Sequence, residues 1–396
     1  MVVTWFIVTT IINLIYKKMK NLFFLLFLLL IYSCNKIAHN NKNQISINVN
    51  ERRSIKLSEI ISNYHYIKLE TNENSLIGEI LKIKVVKNNL YILDDRKALA
   101  LFVFDINGKF LFKINNRGKG PGQFIRPCDF LIDTVKNRIM IGDAGQRKII
   151  YYDNKGNYIN EIKTQFFFNS FEMYKNNLFF DLVNNPYNGK SNTLIVTNLN
   201  GEISSSFIPF DKKISELGIT SRNPFALIND TLLFLPTISN KIFSLSATKA
   251  DIKYSMDFGT NWPTSEILNM NNVKNPMYIL QKANKADYVL FLNCNTTDKI
   301  INFNYTLRGE QQVAYYFKEH RKLIIGNKFI DDIGCGGYNI PIGSYQNEFI
   351  GVIQLEDTKV KSLDRLNKKS LSPELLKIAK DSKEGDNPIL IFINLK

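Results

Sequence analysis

Cysteine, histidine and tryptophan are scarce in this sequence, with 4 Cys, 3 His and 2 Trp among 396 residues. No CxxC pair of the kind that binds zinc is present. His39 lies near the N-terminus, which leaves only His65 and His320 in the body of the chain. With so few histidines and no paired cysteines, a catalytic zinc site is hard to build from this sequence. We therefore expect no metal ion and no cofactor.

Acidic residues are also few, with 36 Asp and Glu against 51 Lys and Arg, for a net charge of +15. The basic residues are scattered along the chain rather than gathered in runs. A nucleic-acid-binding protein concentrates its cations on one face or along one helix. The sequence therefore does not favour a nucleic-acid partner.

The N-terminal region contains no acid and has a short apolar run of 11 residues, from Leu22 to Tyr32, after Met19 and Lys20. A positive start, a short apolar run and a small residue before the cut are typical of a secretory signal. The run is too short to cross a bilayer, which takes about 20 residues. Ser33 and Cys34 end a segment that resembles a lipobox. We predict a signal peptide over residues 1–33, with Met19 as a possible true start, and lipidation at Cys34.

Alternatively, residues 2–33 form one uncleaved hairpin or anchor, which would hold lysines in lipid at high cost. Residues 34–50 are polar and Asn-rich, as in a flexible tether. We expect an outer-membrane lipoprotein that faces the periplasm or the cell surface. Removal of residues 1–33, with three lysines and no acid, leaves a net charge of about +12. If Cys34 is lipidated, at most one disulfide can form among the other cysteines: Cys128, Cys294 and Cys335.

The body of the chain repeats itself at a shift of 48 residues, where Asn89–Asp95 matches Asn137–Asp143. Phe104-Asp105 and Tyr152-Asp153 match at the same shift, and each is followed by a turn that contains glycine. Glycine supplies the positive φ that a tight hairpin between twisted strands requires. A period of 40–50 residues with several strands is typical of propeller blades. Weaker copies follow as far as the C-terminus.

We predict an all-β fold, a six-bladed β-propeller over residues 51–396 with short helical inserts; six blades fit this length only with inserts, so five and seven blades are alternatives. The strand predicted from Tyr64 to Leu69 would pair with the C-terminal strands and close the ring, which removes exposed strand edges. Two interruptions look helical: Pro263 to Lys285, and the segment that begins at Ser372, where Ser is a good N-cap.

The loop Gly118–Phe124 looks like the inter-blade loop of NHL-repeat propellers. More broadly, the chain resembles the six-bladed propeller lipoproteins of gut and environmental Gram-negative bacteria. The resembling pieces are Tyr66–Thr71, Gly118–Phe124, Asp331–Gly334 and Asp386–Leu390. Because members of that family mostly lack an assigned activity, the resemblance implies fold and location and little chemistry.

Several polar residues are candidates for a ligand site on one face of the ring. Carboxylates at strand ends, such as Asp94, usually accept hydrogen bonds from turn N–H groups. Equivalent residues of each blade converge on one axis, so some could instead contact a ligand in the central funnel. The predicted ligand-binding residues are Arg96, Arg117, Lys119, Arg126, Asp95, Asp143 and Arg147.

Two local motifs suggest chemistry but favour structural roles. Gly118–Gly122 lacks the following helix and the Lys-Ser/Thr pair of a phosphate loop, so we interpret it as a tight inter-blade connection. Cys335 lies between glycines with no histidine near in sequence, so a small residue in a tight turn or half of a disulfide is favoured over a nucleophile. The sequence contains no Gly-x-Ser-x-Gly elbow.

These features favour a cell-envelope lipoprotein whose propeller binds or scaffolds a glycan, a peptide or a protein partner. The alternative is a propeller lyase or hydrolase that acts on an envelope or dietary polymer, for which two facing acids in the funnel would be the signature. A third hypothesis is a structural component of an outer-membrane assembly, which a large exposed apolar patch would favour.

Overall fold

Short strands make up almost all of the regular structure among the residues that the structure describes. The computed structural model describes residues 43–51, 53–210, 223–262, 281–282, 285–337, 340–354 and 371–396. These ranges contain 27 strands, the helices α1 (Leu57–Ile60) and α2 (Pro373–Lys380), and one 3-10 turn at Gly259–Asn261. The all-β prediction is therefore confirmed. The predicted signal peptide over residues 1–33 and the predicted lipidation site Cys34 lie outside the described residues, as does most of Pro263 to Lys285.

The first three blades are four-stranded sheets whose strands follow one another along the chain. Blade 1 consists of β4 (Lys82–Val86), β5 (Asn89–Asp94), β6 (Ala100–Asp105) and β7 (Phe110–Ile114). Blade 2 consists of β8 (Pro127–Asp133), β9 (Arg138–Asp143), β10 (Lys148–Asp153) and β11 (Tyr158–Lys163). Blade 3 consists of β12 (Ser170–Tyr174), β13 (Asn177–Asp181), β14 (Asn192–Asn198) and β15 (Ile203–Pro209).

The other three blades complete a six-bladed propeller. Blade 4 consists of β16 (Phe225–Ile228), β17 (Thr231–Phe234), β18 (Lys241–Leu245) and β19 (Ala250–Asp257), with β1 (Gln44–Ser46) at its outer edge. Blade 5 consists of β20 (Leu290–Thr296), β21 (Ile300–Leu307), β22 (Glu310–Phe317) and β23 (Lys322–Gly326). Blade 6 consists of β25 (Gly343–Tyr345), β26 (Glu348–Ile353), β27 (Ile389–Leu395) and β3 (Ile61–Lys68). The predicted blade number is confirmed.

The predicted turn chemistry is confirmed in the repeated hairpins between third and fourth strands. Gly108 and Gly156 have φ values of 84° and 85°. The carboxylates of Asp105 and Asp153, at the ends of β6 and β10, accept hydrogen bonds from turn N–H groups at 2.8–2.9 Å. Each aspartate therefore fixes the turn that the following glycine makes possible.

The two ends of the described chain close the ring, as predicted. β27 pairs antiparallel with β3, with Ile389 opposite Lys68 and Ile393 opposite Tyr64. β3 is thus the outermost strand of a blade whose other three strands come from the C-terminal part of the chain. This pairing joins residues more than 300 positions apart and removes the edge that an open ring would expose.

The segment before β3 forms a belt around the outside of blades 4 to 6, which we define as residues 44–51 and 53–60. β1 extends blade 4, and β2 (Ser54–Lys56) pairs in parallel with β24 (Lys328–Ile330) just after blade 5. Ile45 and Ile55 are buried in the cores beneath it. The predicted boundary between tether and propeller, at residue 50, is therefore too late, because alternate apolar residues after Gln44 pack against the blades.

The hydrophobic core lies between the blades and so depends on the ring. Leu93 and Val103 of blade 1 pack against Phe130 and Ile141 of blade 2 in one cluster, and all four are fully buried. A fully buried side chain of this size contributes about 1.5–3 kcal/mol. A single sheet could bury neither of its faces alone.

Candidate functional site

A channel of about 440 Å³ runs along the axis of the ring. The first strand of every blade contributes to its wall. The lining comprises residues 82–86, 131–135, 172–173, 223 with 225–228, 294–296 and 342–344. Small-molecule sites typically have volumes of about 300–1,000 Å³. The channel is therefore large enough to take a small ligand or the end of a longer one.

Two ion pairs at this wall join blade 1 to blade 2 and to blade 3. Lys82 Nζ lies 2.5 Å from Asp129 Oδ1, and Lys84 Nζ lies 2.6 Å from Glu172 Oε2. The second pair reaches from blade 1 to blade 3, past blade 2. The other carboxylate oxygen of Asp129 accepts a hydrogen bond from Phe171 N at 2.9 Å. Charged groups thus connect three consecutive blades around one side of the channel.

Burial and pairing set the protonation of these groups. Burial lowers the pKa of Lys82, although the Asp129 carboxylate opposes this effect. Burial alone would raise the pKa of Glu172, but the ammonium groups of Lys84 and Lys82 lower it overall. Glu172 is therefore an ionised partner rather than a proton donor at neutral pH.

Asp133, which also lines the channel, is occupied as well. Its carboxylate receives Arg138 Nη2 at 2.9 Å and the backbone N–H groups of Val135 and Lys136. Burial opposes ionisation, but these donors hold its pKa below the usual value. Within the described part of the chain, no group of three or more His, Cys, Asp or Glu could hold a metal ion.

The opposite wall of the channel carries amides and hydroxyls. The carboxamide of Asn223, before β16, donates to the carbonyl of Ile342, before β25, at 3.1 Å. Asn295 in β20 donates to Pro341 O at 2.8 Å, and Ser344 donates to Thr296 O at 2.9 Å. These bonds link blades 4, 5 and 6. The channel is therefore ionic on one side and neutral polar on the other.

Aspartates end the second strands of blades 1, 2 and 3, but the three differ in their partners. Asp94 accepts the N–H groups of residues 78, 79, 96 and 97 at 2.8–3.0 Å. Asp143 accepts those of residues 125, 126, 145 and 146 at 2.8–3.4 Å. Asp94 and Asp143 therefore act as predicted for strand-end carboxylates, by fixing turns.

Asp181 has fewer partners and a different charge state. Its Oδ1 accepts from Val183 N at 2.9 Å and Thr193 Oγ1 at 3.3 Å, but its buried Oδ2 has no hydrogen-bond partner. Burial raises its pKa to about 7, and the nearby charge of Asp129 adds to this effect. Asp181 is therefore protonated for a large fraction of the time near neutral pH.

The residues predicted to bind ligand lie together at blades 1 and 2, on the face that carries the connections between blades. Their side chains are exposed at five positions: Arg96, Arg117, Lys119, Arg126 and Arg147. Asp95 is partly buried and Asp143 is fully buried. Arg117 donates to the carbonyl of Ala98 at 2.6 Å. None of the seven is among the described residues that line the channel, so a ligand site formed by them stays a prediction.

The Gly118–Phe124 loop is an inter-blade connection, as interpreted from the sequence. Tyr152 Oη donates to Gly122 O at 2.9 Å, and Gln146 Nε2 donates to Gln123 O at 3.0 Å. The buried Lys148 ammonium reaches Gly120 O at 3.4 Å and the Glu161 carboxylate at 2.9 Å. Blade 2 therefore binds the loop from blade 1 through its own polar side chains.

The cysteines outside the N-terminal region form no disulfide: Cys128, Cys294 and Cys335 are all free. Cys335 is fully buried, and burial raises the pKa of its thiol to about 12. The turn around it is fixed by the Asp331 carboxylate, which accepts N–H groups from residues 333–337 at 2.7–3.3 Å. Of the three sequence interpretations, the small residue in a tight turn is confirmed.

The ionic wall of the channel was missed at the sequence level. Lys82, Lys84, Asp129 and Glu172 stand in the first strands of their blades among apolar neighbours. Charged residues inside otherwise apolar strands are costly unless they are paired. The sequence therefore indicated that these charged residues must be paired. It could not show which residues pair, because the partners come from different blades.

Comparison with known protein families identifies the family of this chain. A family model described as "Domain of unknown function (DUF4934)" matches residues 42–394. The chain belongs to the DUF4934 family. This match begins at the belt, in agreement with the early start of the fold in the structure. No curated protein matches the chain.

Two crystal structures of Bacteroides proteins share the DUF4934 chain's architecture. A predicted exported protein from Bacteroides fragilis NCTC 9343 is 22% identical, with a TM-score of 0.79 over 89% of this chain and 99% of that one. A member of the DUF4221 family from Bacteroides vulgatus ATCC 8482 is 10% identical, with a TM-score of 0.51 over 85% and 97% of the two chains. At these identities the likeness supports the fold alone. Among the described residues, no helix is long and apolar enough to cross a membrane.

Proposed function

We propose that this DUF4934 protein is an exported cell-envelope lipoprotein, anchored through Cys34, whose propeller binds a ligand in the central channel. The observation that carries the binding role is the channel itself, with walls from six blades and a volume of about 440 Å³. A rigid ring that brings unlike side chains to one axis is suited to recognition. The similar Bacteroides fragilis protein is described as a predicted exported protein, and this supports the envelope location.

Pairing of the channel acids favours binding over catalysis. A glycosidase needs one carboxyl group that carries a proton and one that acts as base or nucleophile. Glu172 is bound to Lys84, and Asp133 is bound to Arg138. Both acids have lowered pKa values after the opposing effect of burial. Neither is poised to donate a proton to a leaving group.

Lipid anchoring is tested by metabolic labelling with a radioactive fatty acid, followed by fractionation of the membranes. The wild-type chain is expected to carry label and to sediment with the outer membrane. Cys34→Ala should lose both properties, while Cys128→Ala, which changes a buried thiol of the propeller, should keep them. Equal labelling of wild type and Cys34→Ala would overturn the anchor.

Binding in the channel is tested at the exposed wall residue Leu227, which is 53% exposed and therefore tolerant of change. Panels of oligosaccharides and short peptides are titrated against the full-length protein and against Leu227→Arg, with calorimetry as the readout. A ligand of the channel should lose at least tenfold in affinity in the variant. Ile252→Arg changes a similarly exposed residue of an outer strand, and it should leave the affinity unchanged. A ligand that binds all three proteins equally would refute a site in the channel.

A further inference from the structure

The channel offers three kinds of surface: apolar, neutral polar and charged. Blade 4 contributes the apolar residues Ala226, Leu227 and Ile228. Blades 5 and 6 contribute the neutral polar residues around Asn295, and blades 1 and 3 contribute the pair of Lys84 and Glu172. A ligand that fills this space must therefore combine an apolar part, hydrogen-bonding groups and a charge.

The apolar part of the wall opens to solvent on one face of the propeller. We call this the turn face, because it carries the turns between first and second strands at residues 87–88, 134–137, 175–176, 229–230, 297–299 and 346–347. Val135, in one of these turns, is 90% exposed and also lines the channel. Leu227, one residue from the end of β16, is 53% exposed. Single exposed apolar residues need no explanation, but these two converge on one opening.

The charged part of the wall has unused donors. Among the described residues, Glu172 is the only hydrogen-bond partner of the Lys84 ammonium, which has three N–H groups. The Lys84 side chain is 28% exposed, whereas Glu172 is 11% exposed and Lys82 is 8% exposed. The group that a ligand reaches first is thus a cation, and its complement is a carboxylate.

The neutral side adds an acceptor for an N–H group. The Asn295 amide nitrogen is used by Pro341 O, while its oxygen accepts no hydrogen bond within the described residues. Aromatic platforms, on which sugar rings commonly stack, are scarce: Phe225 is the only aromatic residue in the described lining. Its ring is already stacked on Phe234, with centroids 4.8 Å apart. These groups suit an amide backbone better than a sugar.

We infer that the channel binds the carboxyl-terminal end of an apolar peptide, which enters from the turn face and places its terminal carboxylate at Lys84. This inference rests on the proposed binding function and names its ligand class. The apolar side chains would contact Leu227 and Val135, and a backbone N–H would donate to Asn295. Glu172 holds the Lys84 ammonium in place through their 2.6 Å ion pair, so it is a positioning residue.

The test compares N-acetylated apolar tripeptides that differ only at the C-terminus, as free acid or as amide, by calorimetry with the full-length protein. The free acids should bind at least tenfold more tightly than the amides. Lys84→Met with Glu172→Gln removes the pair without leaving a buried charge, and it should abolish that preference. Lys155→Met changes an exposed lysine of blade 2 outside the channel, and it should keep the preference.

The outcomes separate the ligand class from the proposed function. Equal binding of acid and amide, or a preference that survives in the double variant, would overturn the carboxylate site. If oligosaccharides bind instead and Leu227→Arg weakens them, the channel binds ligand but the peptide class is wrong. If neither peptides nor oligosaccharides lose affinity in Leu227→Arg, both the inference and the channel site fail.

Discussion

Asp181 and Asp94 stand at the same position in their blades, yet we expect their replacement by asparagine to affect stability differently: the effect at Asp181 should change with pH, and the cost at Asp94 should not. Both end the second strand of a blade, and both are fully buried. Asp94 is an ionised acceptor of four backbone N–H groups, whereas Asp181 Oδ2 has no partner. The same change therefore removes a favourable charge at one site and an unfavourable one at the other.

The magnitude for Asp181 follows from its pKa, which burial raises from 3.8 to about 7. A raised acid pKa means that the folded state holds a proton that the unfolded state has lost. Stability therefore falls as the pH rises from about 4 to 7, by about 1.4 kcal/mol per unit. Between pH 5 and pH 8 the wild type should lose about 3 kcal/mol from this group. Asp181→Asn should not show that loss.

Asparagine at position 181 also brings an amide nitrogen to the place of the unpartnered oxygen. An unsatisfied buried donor costs about 1–3 kcal/mol, independent of pH. The variant is therefore expected to be less stable than wild type at pH 5 and equal or more stable at pH 8. The firm prediction is that the stability of the variant relative to wild type increases between pH 5 and pH 8.

The pKa of Asp94 is lowered, because its backbone N–H donors outweigh the opposing effect of burial. Its contribution to stability is complete above pH 4 and is lost only as the pH falls through the lowered value. Asp94→Asn should thus destabilise by at least about 3 kcal/mol, since several donors lose a charged acceptor. This cost should be the same at pH 5 and pH 8.

Urea denaturation at pH 5, 6, 7 and 8, followed by tryptophan fluorescence and circular dichroism, measures both variants against wild type. Groups that titrate equally in all three proteins cancel in the differences. A difference between Asp181→Asn and wild type that does not change with pH would refute the buried, protonated state of Asp181. If the cost of Asp94→Asn changed with pH across this range, Asp94 would not be the permanently ionised acceptor that its hydrogen bonds indicate.

Three further predictions concern the ion pairs, the belt and the Cys335 thiol. Lys82→Met leaves the buried Asp129 carboxylate without its cation and should cost about 3–5 kcal/mol in urea denaturation; adding Asp129→Asn should recover part of this, and no recovery would argue against the pair. Gly326→Ala places a Cβ 2.5 Å from Ile55 Cδ1 in the belt and should cost about 1–3 kcal/mol. Ile55→Val, which removes that methyl group, should reduce the extra cost; strictly additive costs would contradict the contact. Cys335, which is fully buried and whose thiol pKa burial raises to about 12, should resist iodoacetamide at pH 8 until urea unfolds the chain; mass spectrometry that finds rapid native labelling of Cys335 would contradict its burial.

The repeats that kept their turn chemistry could be predicted from the sequence, because each signal is local. Asp105 with Gly108, and Asp153 with Gly156, show the same hairpin in two places, and that period defines the blade. Ring closure by Tyr64 to Leu69 was predictable for a different reason. A propeller cannot leave two edges open, so the strand without a local partner must pair with the C-terminal strands.

The belt and the channel could not be predicted in the same way, since neither depends on a local pattern. Residues 44–50 are polar at every second position, and only the blades beneath them turn the other positions into a core. Lys84 and Glu172 are 88 residues apart. Their contact depends on how far blade 1 and blade 3 lean toward the axis, which no pairing pattern within either blade specifies.

The six blades differ in sequence around the ring, both at the ends of their second strands and in the residues that they place in the channel. The second strands of blades 1 to 3 end in Asp94, Asp143 and Asp181, whereas those of blades 4 and 6 end in Phe234 and Ile353. The charged channel residues belong to the first half of the ring and the amide residues to the second, while apolar residues line both halves. A ring kept only for its stability would gain nothing from such a division, because paired charges in an apolar wall are at best neutral toward stability. The division is explained if one ligand must meet different chemistry on its two sides, which a channel of six identical blades could not offer.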